Sequence, residues 1–329
     1  MRQILVAPDS FKGTFPAPSV AAAIGRGLER AGFPPPDLCP VADGGEGTLA
    51  ALLTALGGST DGVSVSDPLG RPVKAGFGLI EDGATAVVEV AEASGLSRVA
   101  EGERDAEAAS SRGTGELIVA AVERDAQVVL VAAGGSATTD GGSGAVEAIT
   151  EAGGLRGARL VVLCDVRTPF EAAARVFAPQ KGADAAVVKR LSRRLDKLGA
   201  SWPRDPRGVP MTGAAGGLAG GLWAVFGAVL EPGAPFVLDA LGYDARMRAA
   251  AAVVVGEGRL DETSLQGKIL GEAATRARQA GVPCFAIVGT NALDPFAARI
   301  LDLQRVLEAP TLEDVEAAAA SLADVLPTR

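Results

Sequence analysis

Ile4-Leu5-Val6-Ala7 is an unbroken apolar run that stops at the turn Pro8-Asp9-Ser10-Phe11-Lys12-Gly13. A run apolar on every side suits a strand buried on both faces, which means a parallel strand with helices above and below it. A helical stripe follows: Val20, Ile24 and Leu28 recur at helical spacing, Ser19 offers an N-cap and Gly32 a stop. The pattern then repeats. Leu38-Cys39-Pro40-Val41 is a poorer strand ending in Asp43-Gly44-Gly45-Glu46-Gly47, and Thr48 opens a helix carrying Leu49, Leu52, Leu53 and Leu56 up to Gly57-Gly58. Near the other end, apolar runs at 252–255, 284–288 and 305–307 alternate with helical stretches at about 271–280 and 295–303 and one from Thr311. Thr311-Leu312-Glu313-Asp314 is an acidic variant of the capping box.

Two strand–helix pairs plus three more give the strand count of a flavodoxin-like doubly wound domain. The intervening block is less regular, with strands at 85–90, 128–132 and 160–163 and helices at 114–125, 142–152 and 184–198. The expected architecture is therefore α/β: a flavodoxin-like domain at 1–61 and 240–329, interrupted by a second, inserted α/β domain at 62–239.

Charge and composition narrow the chemistry. Lys and Arg number 31 against 40 Asp and Glu, a net charge of −9. That argues against a nucleic-acid binder or a polybasic membrane anchor. There is no histidine, so Ser-His-Asp and Cys-His triads, His-ligated zinc and the H-E-x-x-H proteases are excluded. A general base must come from Asp, Glu, Lys, Tyr, Cys or water. Cys39, Cys164 and Cys284 are odd in number and far apart, which reads as small buried hydrophobes in a reducing compartment. With no signal-peptide pattern at the start and no apolar run approaching 18 residues, the expected location is cytoplasmic.

Strand after strand ends in glycine and acid. Parallel sheets bind ligands beyond the carboxyl ends of their strands, and glycine there lets backbone N–H groups approach an anion. A carboxylate in the same place tolerates phosphate only with a cation between them, so glycine, acid and lysine together suggest phosphate with Mg²⁺. Five segments qualify: Pro8 to Gly13 with Lys12; Ala42 to Gly47 with Asp43; Gly134-Gly135-Ser136-Ala137-Thr138-Thr139-Asp140-Gly141-Gly142; Thr212 to Gly217; and Gly256-Glu257-Gly258-Arg259-Leu260-Asp261 with Ser264 and Gly267-Lys268. Each also has a plain reading: a turn lysine, an N-cap, or small residues for helix packing. Gly267-Lys268 is no P-loop, no G-x-G-x-x-G opens a helix, and the protein-kinase signatures are absent. The cations Lys189, Arg190, Arg193, Arg194 and Lys197 read as a solvated helix face above Val188, Leu191, Leu195 and Leu198. Residue patterns alone thus reach an α/β enzyme handling an anion, with phosphoryl transfer as one option.

In sequence order, Ala7-Pro8-Asp9-Ser10-Phe11-Lys12, Val41-Ala42-Asp43-Gly44-Gly45-Glu46-Gly47-Thr48, Glu92-Ala93-Ser94-Gly95-Leu96, Gly113-Thr114-Gly115-Glu116, Gly134 to Thr138, Asp140-Gly141-Gly142, Pro179-Gln180-Lys181-Gly182, Gly213 to Gly217, and Gly256 to Asp261 with Ser264, Gly267 and Lys268 resemble the bacterial glycerate kinase family, type 1. The resemblance spans nearly the whole chain. It implies ATP-dependent phosphorylation of D-glycerate with Mg²⁺, in a cleft of a flavodoxin-like domain interrupted by a second domain. The expected product is 2-phosphoglycerate, with 3-phosphoglycerate as the other option. ATP and D-glycerate are the expected partners, with no nucleic acid or membrane; a homodimer is left open.

Asp43 is then the expected base or metal ligand, and Glu257 and Asp261 hold Mg²⁺ or orient the nucleophile. Lys12, Lys181, Arg259 and Lys268 neutralise carboxylate and phosphoryl charge. Gly134, Gly135, Ser136 and Thr138, with Gly213, Gly216 and Gly217, cradle ATP phosphates. Ser10, Gly44, Gly45, Glu46, Asp140 and Ser264 complete the expected binding set. The chain departs from the family pattern twice. The join Ala152-Gly153-Gly154-Leu155-Arg156-Gly157 replaces a longer stretch, and Cys164-Asp165-Val166-Arg167-Thr168-Pro169-Phe170 lacks the family's asparagine. These departures motivate one alternative, a binding protein without turnover; a kinase for another small hydroxy acid is the other alternative.

Overall fold

The computed structural model describes residues 2–11, 13–266 and 268–327. The first apolar run is β1 (Ile4–Pro8), buried throughout. α1 (Ala17–Arg30) starts ahead of Ser19, because Pro16 takes the cap position and Pro18 fits the first turn, where a missing N–H costs nothing. Its Val20, Ile24 and Leu28 are buried, as their spacing requires. β2 (Asp37–Leu38) is short, so Cys39, Pro40 and Val41 follow the strand that the sequence suggested they belong to. Next come α2 (Thr48–Leu56), β3 (Ser59–Ser66), β4 (Pro72–Ile80), β5 (Thr85–Glu89), α3 (Val90–Ser94), α4 (Arg112–Val122), β6 (Val128–Ala132), α5 (Ser143–Glu151), β7 (Arg159–Cys164), α6 (Ala173–Phe177), α7 (Ala185–Ser201), α8 (Leu218–Phe226) and β8 (Val229–Pro232). The chain closes with α9 (Gly233–Ala240), α10 (Tyr243–Ala249), β9 (Ala252–Leu260), α11 (Ile269–Gln279), β10 (Cys284–Asn291), α12 (Pro295–Ile300), β11 (Leu303–Glu308) and α13 (Leu312–Ser321).

These elements form two compact units, Met1–Asp43 with Ala234–Arg329, and Gly44–Gly233. In the first, the strands run β11-β10-β9-β1-β2, all parallel. Counted within the unit from the β2 edge, that is the 2-1-3-4-5 order of flavodoxin-like sheets, with the reversal between β1 and β9. Val253, Val254 and Val255 at the centre of β9 are fully buried, each stabilising the fold by about 1.5–3 kcal/mol. β9 continues through Gly256 to Leu260, a stretch that reads as a turn in the sequence, because β10 pairs with it as far as Leu260.

The chain crosses to the second unit at Gly44, earlier than the expected division after residue 61. α2 is the reason: it follows β2 in sequence but lays Leu49 and Leu53 on Gly78 of β4, where a Cβ would meet the Leu49 Cδ1 at 2.2 Å and push that side chain aside. Its Leu49 N–H donates to Glu89 at the end of β5, at 2.7 Å. The second sheet runs β3-β4-β5-β6-β7-β8, antiparallel from β3 to β5 and parallel from β5 to β8. β3, β4 and β8 were not expected. The two ends of this unit meet, since a Cβ on Gly44 would lie 2.6 Å from the Gly233 Cα. The shortened join after α5 is a tight turn, with Gly153, Gly154 and Gly157 all at positive φ, which glycine adopts without strain. On α7, Asp184 caps the helix by accepting from the Val187 N–H at 2.8 Å. Leu191 and Leu195 are buried beneath its basic face, where Arg190 pairs with Glu107. All three cysteines are free and buried. No helix among the described residues is long and apolar enough to cross a membrane.

Candidate active site

The strand order of the first unit dictates where a ligand can sit. A crevice opens where neighbouring strands of a parallel sheet send their connections to opposite faces, here beyond β1 and β9. A pocket of about 320 Å³ lies there, lined by residues that leave the carboxyl ends of successive strands. Asp9 and Ser10 follow β1, Asp43 follows β2, Glu257 and Arg259 end β9, and Thr290 ends β10, with Lys268 at the start of α11. Pairing fixes their register: Pro8 lies beside Gly256, and Glu257 beside Val288. The Asp9 N–H donates to the Gly256 carbonyl at 2.8 Å, which sets Asp9 alongside Glu257.

Asp9, Asp43 and Glu257 are each nearly inaccessible to solvent. Glu257 Oε1 accepts from the buried Ser264 hydroxyl at 2.5 Å, so Ser264 orients a carboxylate and does not line the pocket. Asp261 is also outside the lining. Its Oδ1 accepts from the Thr263 N–H at 2.9 Å and hydroxyl at 2.5 Å, and Arg259 approaches Oδ2 at 3.3 Å. The Thr263 hydrogen bonds, reinforced by Lys268 and Arg259, hold its carboxyl below the usual range. Among the described residues, no three or more His, Cys, Asp or Glu side chains gather as a ready-made metal centre. Asp43, Glu257 and Asp261 thus do not form one ligand set, because Asp261 is engaged in its own turn. The donors that do line the pocket still suit Mg²⁺, which takes one or two carboxylates and completes its shell with water and phosphate oxygens. Ser10, Asp43, Glu257, Arg259 and Lys268 were expected here. Asp9 and Thr290 were missed, although they occupy the same strand-end position. Lys12 and Gly267 lie outside the described residues.

The second unit holds its own pocket, of about 210 Å³, around the turn after β6. Gly134, Gly135 and Ser136 form one wall, Lys181 and Gln180 another, with Asp165 beyond β7 and Gly216 before α8. A Cβ on Gly134 would come within 2.5 Å of the Gly45 Cα, and one on Gly216, at φ +68°, within 1.9 Å of the Thr138 carbonyl oxygen. Only glycine is accommodated at either position. Lys181 is buried; its Nζ donates to the Ser136 hydroxyl at 2.9 Å and to the Thr138 carbonyl at 2.5 Å. Burial depresses its pKa to about 7 against the pull of Asp140 and Asp165. Thr138 therefore contributes its carbonyl, while its hydroxyl is buried without a partner.

Several expected residues do other work. Asp140 is buried and fully engaged: Oδ2 accepts from the Ser111 N–H and hydroxyl and the Gly144 N–H, and Oδ1 from the Gly142 N–H. It caps α4 and α5 together and leaves nothing to offer a phosphate. Gly213 packs on the Thr168 and Pro169 carbonyls and Gly217 on Phe170, so their glycines serve close approach of backbone. Gly44 and Gly45 pack against Gly233 and Gly134, and Glu46 is exposed; none of the three lines either pocket. Asp165 and Gln180 were missed as lining residues, although both stand within segments that the sequence had marked.

The comparisons agree with this architecture. The glycerate kinase family model matches residues 4–153 and 151–326, two stretches that meet at the shortened join. The chain is 37% identical to the glycerate 2-kinase of Escherichia coli strain K12, over 88% of this chain and 85% of that one. It is 38% identical to the glycerate kinase of Bacillus subtilis strain 168, over 89% and 86%. A crystal structure assigned to glycerate kinase 2 of Salmonella typhimurium LT2 superposes with a TM-score of 0.81, at 32% identity, covering 98% of this chain and 97% of that one. With matching segments from the first strand to the last helix, the chain belongs to the glycerate kinase family.

Proposed function

We propose that this protein transfers the γ-phosphoryl group of ATP to D-glycerate with Mg²⁺, giving 2-phosphoglycerate. The observation that carries the reading is the strand-end pocket of the first unit, where Asp9, Asp43 and Glu257 stand with Arg259 and Lys268, in a chain of this family. Phosphoryl transfer asks little covalent work of a protein; positioning and charge neutralisation dominate. Asp43 is assigned to receive the proton of the attacking hydroxyl. Glu257, held by Ser264, and Asp9 would hold the metal, which would supply positive charge against the phosphate oxygens. Arg259, Lys268 and Lys12 balance the remaining negative charge. In the second unit, the Gly134–Ser136 turn and Lys181 cradle an anionic group. Three buried free thiols suit a reducing, cytoplasmic setting.

The test is ADP release with and without D-glycerate, with the product read by phosphorus NMR. D-glycerate-dependent ADP release giving the 2-phosphate is expected. ADP release with another hydroxy acid but not D-glycerate would move the substrate, and none with any acid would leave a binding protein. The shortened join after α5 is the feature that keeps a different acid in play.

A further inference from the structure

Building on the proposed activity, we infer that Arg259 is the residue that selects an acid: its guanidinium holds the substrate's carboxylate through two parallel hydrogen bonds, and the Thr290 hydroxyl beside it adds a third. Only the first unit is involved, since every residue lining the strand-end pocket belongs to Met1–Asp43 or Ala234–Arg329. Among the described lining residues, Asp9, Asp43 and Glu257 are acidic, and Arg259 and Lys268 are basic. A phosphoryl donor and an acid bring two kinds of anionic group to this pocket, one tetrahedral and one planar. The two cations differ in which of them they suit.

Lys268 occupies the cap position of α11, ahead of N–H groups that have no partner within the helix. A compact ammonium beside a helix start suits a phosphate oxygen, whereas the flat fork of an arginine matches the two oxygens of a carboxylate. The sheet sets Arg259 in place. It lies two residues beyond Glu257 on β9, hence on the same face, and it pairs across with Thr290 of β10. Two residues along a strand is about 6.6 Å, so a carboxylate on Arg259 and a hydroxyl beside Glu257 and Asp43 can belong to one small molecule. Arg259 Nε approaches Asp261 Oδ2 at 3.3 Å, and Asp261 is itself fixed by the Thr263 N–H and hydroxyl. That contact engages one of the five N–H donors of the guanidinium and steadies its plane. The edge formed by the two terminal nitrogens has no partner among the described residues, and the side chain is 68% exposed. The fork is therefore held from behind and open toward the pocket that it lines.

The experiment crosses two ligands with two proteins: D-glycerate and its uncharged amide, D-glyceramide, against the whole wild-type chain and Arg259→Gln. The amide is read as a substrate or as a competitor of D-glycerate. Arg259→Gln should raise the KM for D-glycerate about 10- to 100-fold, the worth of a charged two-point contact, with the KM for ATP and the affinity for the amide shifting less than about threefold. Arg259→Lys keeps the charge without the fork and should recover only part of the loss; full recovery overturns the two-point contact. Thr290→Val should weaken the acid alone, and by less, which repeats the test at a neighbour should Arg259→Gln misfold. A rise in the KM for ATP, or an equal loss with acid and amide, overturns the inference, because a phosphate contact or a structural role gives those results. D-glycerate phosphorylated with the same KM by both proteins sinks the inference and leaves the activity standing. If the wild type phosphorylates no D-glycerate, the activity fails first. Calorimetric titration of both proteins with two- to four-carbon hydroxy acids and their amides then decides Arg259: an acid that binds the wild type and is selectively lost by Arg259→Gln supports it, and none overturns it.

Discussion

Replacing Asp43 with asparagine removes a proton acceptor while keeping the size of the side chain, and Asp43 is buried in the strand-end pocket. General-base loss of this kind lowers kcat by about 10²–10⁴-fold. Steady-state kinetics on a variant with unchanged circular dichroism checks this, and near-normal turnover would remove Asp43 from the reaction. Glu89 makes a different prediction. Burial raises its pKa from 4.5 to about 7, in spite of the Leu49 N–H it accepts. Between those values the folded state holds a proton that the unfolded state has released, so stability falls as pH rises through that window. Glu89→Gln should therefore raise Tm more at pH 8 than at pH 5, by about 2–4 °C for each kcal/mol recovered. An equal shift at both pH values would refute the linkage. At this scale Asp43 and Glu257 were readable as carboxylates that follow an apolar run, whereas Asp9, in the same position after β1, was passed over in favour of its neighbours Ser10 and Lys12. Asp140 misled because its partners are three backbone N–H groups and the Ser111 hydroxyl at the starts of two helices, which no residue pattern reveals.

Among the elements, the β6–α5 connection depends most on single residues. Asp140 joins the start of α4 to that of α5, and Asp140→Ala strands several buried donors, each costing about 1–3 kcal/mol. Urea unfolding should show a loss of about 3 kcal/mol or more, with Asp140→Asn losing less; a neutral result would return Asp140 to the phosphate-binding set. Strand legibility followed burial. β1, β6 and β9 were visible because buried parallel strands are apolar without interruption. β3 and β4 alternate instead, with Val63 and Val65 and then Val73, Ala75, Phe77 and Leu79 packing inward between polar or glycine neighbours. That period-2 signal is present in the sequence but is masked by a search for continuous runs. The far end of β9 was hidden for the opposite reason, since its glycines and charges look like a turn until β10 is laid beside it.

At the scale of the whole molecule, the family likeness was legible because its motifs recur in order along the chain, whereas the crossing at Gly44 was not, because helix α2 follows β2 in sequence yet packs on another sheet. The ends of the second unit meet at Gly44 and Gly233, so a recombinant 44–233 fragment should unfold cooperatively in urea; a broad, non-cooperative melt would show that it borrows stability from the rest. β1, by contrast, sits mid-sheet between β2 and β9, and β9 is translated only after the whole 44–233 segment. On the ribosome, then, β1 emerges long before β9 and must wait, its hydrophobic edge open to chaperones or to misassembly, until its neighbour in the sheet has been made.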